Sequence, residues 1–218
     1  MSDYKDKPVR KLFTGAISCL VAGLLCILPA AYASDTVGNA PKQARATIDQ
    51  FHASLLGVMK QADDTTVADR YKILEPEISQ RFDLRLMIAL ATGKYWRKAT
   101  KEARSRLAEA FRRFSIATYA TRFSGYSGQS FETLGVSTGP RKTELVSTEI
   151  KRPNDTPVAL TYVTRVAPMG WRIVDVLVDD GISELAVRRS EYRSILKSDG
   201  IEGLIRLLDK KTQLLVGQ

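Results

Sequence analysis

Cysteine is almost missing from this chain of 218 residues. Its two examples, Cys19 and Cys26, both fall in an apolar stretch near the N-terminus, so the rest of the chain has none. That removes disulfide staples, thiol catalysis, thiolate metal sites and redox chemistry from everything beyond residue 33. Histidine is as scarce. His52 stands alone, beside Phe51 on a helical stretch and without catalytic company, and it reads as a surface or core-edge residue. There is no glycine-rich phosphate loop, no G-x-S-x-G elbow and no zinc-binding helix motif. Asp63-Asp64 and Asp179-Asp180 lie where turns are expected, and neither has the spacing of a calcium loop. Catalytic and metal residues are therefore assigned to no position, and an exported enzyme built on a lone Asp/Tyr/Arg set stays open only as an alternative.

The N-terminus carries the strongest local signal. Lys5, Lys7, Arg10 and Lys11 precede an uncharged apolar run from Leu12 to Leu28, which ends in the small-x-small pattern Ala31-Tyr32-Ala33. This is the layout of a secretory signal peptide over residues 1–33, with cleavage after Ala33 and export to the periplasm. The run is at the lower edge of the length that spans a bilayer, so the competing reading is an uncleaved anchor. A lipoprotein signal fits less well, because Leu25 before Cys26 is too large. The signal holds four of the 33 basic and two of the 24 acidic residues, which leaves the mature chain with an excess of seven positive charges. That excess suits acidic partners or anionic lipid surfaces, or simply a solvated basic surface. No later stretch is long and apolar enough to span a membrane, so a soluble, monomeric mature form is expected, with no role for nucleic acid.

Residues 34–43 read as a flexible leader, followed by one domain over 44–215. Ile48, Phe51, Leu55 and Val58 recur at helical spacing. Thr65 or Thr66 caps a second helix, which is expected to stop near Pro76. Phe82 to Ala91 is apolar nearly all round, and Gly93 ends it. The longest helix runs from Thr100 to about Phe123, with Leu107, Ala110, Phe111, Phe114 and Ala117 on one face. Beyond Gly125 the period changes from 3.6 to 2, giving four strands at about 128–136, 142–151, 157–166 and 171–178. Turns at Pro153-Asn154-Asp155 and Pro168-Met169-Gly170 make them an antiparallel meander. Two helices, at about 182–197 and 200–215, close the chain. The fold class is α+β: a four-stranded antiparallel curved sheet with helices on both its N- and C-terminal sides.

What is left is an excess of large apolar side chains on short elements. Phe82, Met87, Leu90, Tyr95, Trp96, Phe111, Phe114, Tyr119, Phe123, Tyr162, Val174 and Val176 are the candidates for a cavity lining. The same side chains serve equally in a filled core, and both readings stand at this point. A filled core with an exposed apolar patch would belong to an adaptor protein, whereas a carrier would hold a cavity of about 1,000 Å³ or more. Arg188 and Arg189 are candidates for docking a partner.

Several stretches resemble one family. Arg81-Phe82-Asp83-Leu84 with Met87, then Gly93-Lys94-Tyr95-Trp96-Arg97-Lys98-Ala99-Thr100, resembles the helix junction of MlaC-type proteins, the toluene-tolerance auxiliary family. Ala110-Phe111-Arg112-Arg113 with Thr118-Tyr119-Ala120 continues the pattern. So do Gly170-Trp171-Arg172-Ile173-Val174-Asp175-Val176, Gly181-Ile182-Ser183, Arg189 to Tyr192, and Gly200 to Ile205. The resemblance covers about residues 45–212. Within it, Phe51-His52, Ser115 to Ala120 and Arg152-Pro153-Asn154-Asp155 are most similar to the hopanoid-associated HpnM branch. The resemblance implies a sheet-and-helix fold of the NTF2/cystatin type and a non-catalytic, soluble periplasmic lipid carrier. It implies bound phospholipid or hopanoid as ligand and no cofactor. It also implies partners in an outer-membrane lipoprotein complex and an inner-membrane ABC transporter. Two acyl chains carry roughly 30 methylenes at about 0.8 kcal/mol each, so crossing an aqueous gap requires that the tails be covered.

Overall fold

The computed structural model describes residues 35–179 and 181–217. The signal peptide read over residues 1–33 lies outside the described residues. Among the described residues, seven α-helices and five strands follow in the order expected for helices, then sheet, then helices. They are α1 (Asp35–Lys60), α2 (Val67–Arg81), α3 (Leu84–Thr92), α4 (Lys94–Lys98), α5 (Lys101–Arg122), β1 (Ser130–Gly139), β2 (Thr143–Arg152), β3 (Asp155–Ala167), β4 (Gly170–Val178), β5 (Ile182–Ser183), α6 (Glu184–Ser198) and α7 (Gly200–Val216).

The helices begin where side chains can satisfy their free N–H groups. Thr66 and Asp69 form a reciprocal capping box on α2, in which Thr66 Oγ1 accepts from the Asp69 N–H at 3.1 Å. Asp83, Thr100 and Ser183 cap α3, α5 and α6 by accepting from the N–H groups of Leu86, Ala103 and Ala186. Two boundaries differ from the sequence reading. α1 begins at Asp35, so the segment read as an irregular leader to residue 43 is helical from there on. α2 does not stop at Pro76 but runs on to Arg81. Pro76 is exposed while Leu74 and Ile78 on either side are fully buried, and their packing outweighs the missing backbone hydrogen bond.

The sheet is antiparallel throughout, in the order β1-β2-β3-β4-β5. It has five strands, not four. Ile182 and Ser183 pair with Val178 and Leu177, in a segment that the sequence reads as the start of a helix. Two residues are too few to show a strand period. Leu134 and Val174 are each an extra residue opposite a continuous partner strand. Such bulges bend the strands and curve the sheet. The β2–β3 turn places Asn154 at φ 59°, and the β3–β4 turn places Gly170 at φ 102°, a backbone state that glycine adopts without strain.

The α1 stripe of Ala44, Ile48, Phe51, Leu55 and Val58 is buried, as is the α5 stripe of Leu107, Ala110, Phe111, Phe114 and Ala117. α5 is the central helix. Arg112 joins it to α2 through Glu75 at 2.7 Å, and Arg113 joins it to α7 through Asp209 at 2.7 Å. Glu109 binds both arginines, chiefly by hydrogen bonding to Arg112, and its carboxyl is held below the usual carboxylate range. Arg70 is buried and donates to the carbonyls of Ala120 at 2.9 Å and Thr65 at 2.5 Å, which ties α2 to the end of α5.

Candidate functional site

Curvature leaves a cavity of about 400 Å³ between the sheet and the helices. α5 and its C-cap supply one wall with Phe111, Ser115, Tyr119 and Phe123, each four residues after the last and so on one face, and with Phe114 beside them. α3 adds Leu84 and Met87, and Ile78 and Phe82 come from α2 and its cap. The opposite wall is the concave face of the sheet. There Ile150, Leu160, Tyr162, Val176 and Val178 point inward by strand alternation. Leu185 of α6 completes the apolar surface.

The aromatic rings at the base are packed edge to face. Phe51 lies 5.1 Å from Phe82, 5.5 Å from Tyr119 and 6.3 Å from Tyr162, ring centre to ring centre, at steep angles. Tyr119 stacks on Phe123 at 5.7 Å. These contacts fix the rings in place, so the cavity is a shaped space rather than a loosely filled core. One hydrogen-bonded pair stands at its edge. The Tyr162 hydroxyl and Nε2 of His52 are 3.0 Å apart. Burial lowers His52 to about 4 and pushes the Tyr162 phenol up, so both are neutral at neutral pH. His52 is thus buried within the domain, not a surface residue.

α6 forms the lip of the cavity, and Asp175 of β4 sets its position. The Asp175 carboxylate accepts from Ser183 Oγ at 2.6 Å and from the Leu185 N–H at 3.1 Å. This fixes the first turn of α6 against the sheet. It brings Glu184 and Arg188 to the opening, where Ser115, Thr118 and Arg122 of α5 face them. The chemistry of the site is that of a binding cavity: apolar and aromatic inside, polar at one end.

Phe82, Met87, Phe111, Phe114, Tyr119, Phe123, Tyr162 and Val176 all line this cavity. Four other candidates stand elsewhere. Leu90 is on the outer face of α3 and is 47 % exposed. Trp96 lies on α4 between Arg85 and Arg104, with its ring centre 5.2 Å and 5.9 Å from the two guanidinium groups. Tyr95 borders a separate shallow cleft with Lys94, Arg189 and Arg193. Val174 is the bulged residue of β4, and the bulge takes it off the inward face that Val176 and Val178 share. The arginine pair is divided as well. Arg188 lines the cavity and lies 5.1 Å from the centre of the Phe114 ring, whereas Arg189 faces the α3–α4 cleft.

Sequence reasoning missed ten lining residues, among them Ile78, Leu84, Ile150 and Leu185, which four different elements bring to the cavity. Leu160 and Val178 share a strand face with Tyr162 and Val176, so the period of two was the signal for them. Thr118 falls on the inward stripe of the longest helix, but nothing local marks Ser115, Arg122 and Glu184 as facing a cavity. The cavity volume is also smaller than the 1,000 Å³ expected of a lipid carrier. Among the described residues there is no cluster of side chains suited to hold a metal ion, and no helix is long and apolar enough to cross a membrane.

Two comparisons with known proteins bear on this cavity. The sequence matches the family model described as "MlaC protein" over residues 49–210. The fold is similar to the solved structure of a phospholipid-binding protein from Ralstonia solanacearum in complex with a phospholipid. That match has a TM-score of 0.68 at 21 % identity and covers 81 % of this chain and 98 % of the other. Neither comparison separates the hopanoid-associated branch from the rest of the family.

Proposed function

The chain belongs to the MlaC family, and from that premise we propose that it is a non-catalytic lipid carrier that holds acyl tails in the cavity between α5 and the sheet. The observation that carries this reading is the cavity itself. Its walls are apolar, with six aromatic rings among the aliphatic side chains, it opens at one polar end, and it lies within the matched residues. A similar fold has been solved with a phospholipid bound. Covering the tails of a diacyl lipid offsets on the order of 20 kcal/mol of aqueous exposure.

Two full tails need more room than about 400 Å³, so loading requires the walls to separate. The first turn of α6 is the part suited to this, because hydrogen bonds to Asp175 position it, whereas Tyr192 and Leu196 further along the helix are buried in the core. Release then depends on a partner that binds the open state better than the closed one. We place the carrier in the periplasm, exported by the N-terminal signal, between an outer-membrane lipoprotein complex and an inner-membrane ABC transporter. Arg189, with Lys94 and Arg193 beside it, is the docking candidate that remains once Arg188 is assigned to the cavity.

The test is lipid content. The full chain is produced with its own leader in a bacterial host, purified from the periplasm without detergent, and extracted for mass spectrometry. About one phospholipid per protein supports the carrier. A lipid-free protein that takes up no lipid from vesicles contradicts it and favours a non-catalytic adaptor.

A further inference from the structure

The inner end of the cavity is a wall shared with a second space. Phe82 and Leu84 line the cavity, and the same two side chains line a separate cleft of about 370 Å³. The strand register places the two spaces end to end. The lip of the cavity lies at the Leu160–Val178 pair, the Tyr162–Val176 pair follows, and the fully buried Thr164–Ile173 pair comes next. Beyond it, Arg172 and Ala167 border the cleft beside the β3–β4 turn.

The polar groups of the cleft are already partnered. Arg112 binds Glu75 and Glu109, and Arg172 donates to the Ser79 carbonyl at 3.0 Å. The Asp83 carboxylate accepts from the Leu86 N–H at 3.0 Å, and the Arg85 guanidinium lies over the Trp96 ring. What remains for a ligand is apolar: the arginine stems, Ala167, Pro168 and Met169. Met169 is 83 % exposed, more than any other large apolar side chain among the described residues.

The two side chains of the partition are not equally fixed. The Phe82 ring packs at 5.1 Å against Phe51 and 5.6 Å against Tyr119, and the Asp83 N–H donates to the Ile173 carbonyl at 2.9 Å. Leu84 is the first residue of α3, and its aliphatic side chain can change rotamer while the backbone beside it stays bonded.

We propose that the cleft receives the methyl end of a long acyl tail, which passes from the cavity beside Leu84. The inference rests on the lipid-carrier reading and deepens it, because it places the tail length that the cavity does not hold. From Val178 to Ile173 is about 15 Å along the strand, about the depth of one leaflet of a bilayer core. A tail held straight by the walls is longer than that and meets Leu84. The cavity alone, at about 400 Å³, is too small for two such tails, and the cleft nearly doubles the space. Movement of the first turn of α6 admits the lipid at the lip, and the cleft takes its far end.

The experiment maps where the tail ends. Phosphatidylglycerol carrying a diazirine at the methyl end of one tail is made in a short, lauroyl form and a long, stearoyl form. Each is loaded into the full chain and illuminated, and mass spectrometry locates the cross-link. The stearoyl form is expected to label residues 167–172 as well as the cavity, and the lauroyl form the cavity alone. Labelling confined to the cavity with both forms overturns the cleft site and leaves the carrier intact. Labelling of the cleft by both forms also overturns it, because lipid then reaches the cleft from outside whatever its length. Failure to load either form overturns the carrier reading itself.

Leu84→Ala tests the route. It is expected to raise the share of stearoyl label found in the cleft severalfold, and an unchanged share contradicts passage beside Leu84. Should that variant not fold, as judged by circular dichroism, Met169→Asp carries the test, since its side chain is exposed. Each methylene covered is worth about fourfold in affinity. Met169→Asp is therefore expected to weaken binding of the stearoyl form severalfold relative to the lauroyl form. A ratio that does not move overturns the proposal.

Discussion

The Tyr162 hydroxyl and Nε2 of His52 share a hydrogen bond of 3.0 Å that joins β3 to α1 across 110 residues of sequence. The His52 ring also stacks on Phe131 at 4.4 Å. Burial lowers the histidine from 6.5 to about 4, which makes the pair a source of pH-dependent stability. The unfolded chain takes up a proton near pH 6.5, and the folded chain does so only near 4. The contribution is therefore complete above pH 6.5 and is lost as the pH falls towards 4, by about 3 kcal/mol in all. His52→Gln removes it. Urea unfolding at pH 7 and pH 4.5 is expected to show a larger loss in the wild type than in the variant. Parallel losses would contradict the assignment.

Asp175 fixes the start of α6, so it should govern both stability and lipid retention. Asp175→Ala removes the acceptor for Ser183 Oγ and the Leu185 N–H. A cost of about 1–3 kcal/mol in the unfolding free energy follows. Dissociation of a fluorescent phospholipid should also speed up, because the lip is released. Unchanged dissociation with reduced stability would show that α6 is not the moving wall.

Filling the cavity should separate binding from folding. Leu160 lies on the concave face of the sheet and lines the cavity. Leu160→Trp is expected to leave the melting temperature within a few degrees of wild type, because the larger ring enters existing space. Co-purified lipid should fall severalfold. A loss of stability with lipid content unchanged would mean that the space is not where the lipid sits.

Core and wall should respond differently to truncation. Leu107 is fully buried in the α5 stripe and does not line the cavity. Leu107→Ala is expected to cost about 2–5 kcal/mol. Met87 has the cavity on one side and fewer contacts to lose. Met87→Ala is expected to cost less than Leu107→Ala in the unfolding free energy and to weaken lipid binding, which Leu107→Ala leaves nearly unchanged.

Period and punctuation made much of the fold legible. Ile48, Phe51, Leu55 and Val58 repeat at 3.6, Tyr162 and Val176 fall on a period of 2, and Thr100 marks the start of α5. Tertiary structure overrode local signals elsewhere. Pro76 lies inside α2 because burial on both sides of it holds the helix together. The site was legible where one element carries it, as with the aromatics of α5. It was not legible on α3, which is apolar nearly all round apart from Arg85, so nothing local showed that Met87 faces in and Leu90 out. Val174 was misplaced because a bulge shifts the alternation by one and leaves no mark in the sequence. The polar lip joins α5 to α6 and exists only once the sheet has brought the two helices together.

Placing a photoreactive residue at Met87, and in a separate variant at Leu90, tests most directly whether acyl tails occupy this cavity. The two positions are three residues apart on α3, one lining the cavity and the other exposed to solvent. After loading with phospholipid and illumination, mass spectrometry should find the tail cross-linked at Met87 and not at Leu90. Cross-linking at Leu90 alone, or at neither position in a protein that carries lipid, would contradict the account.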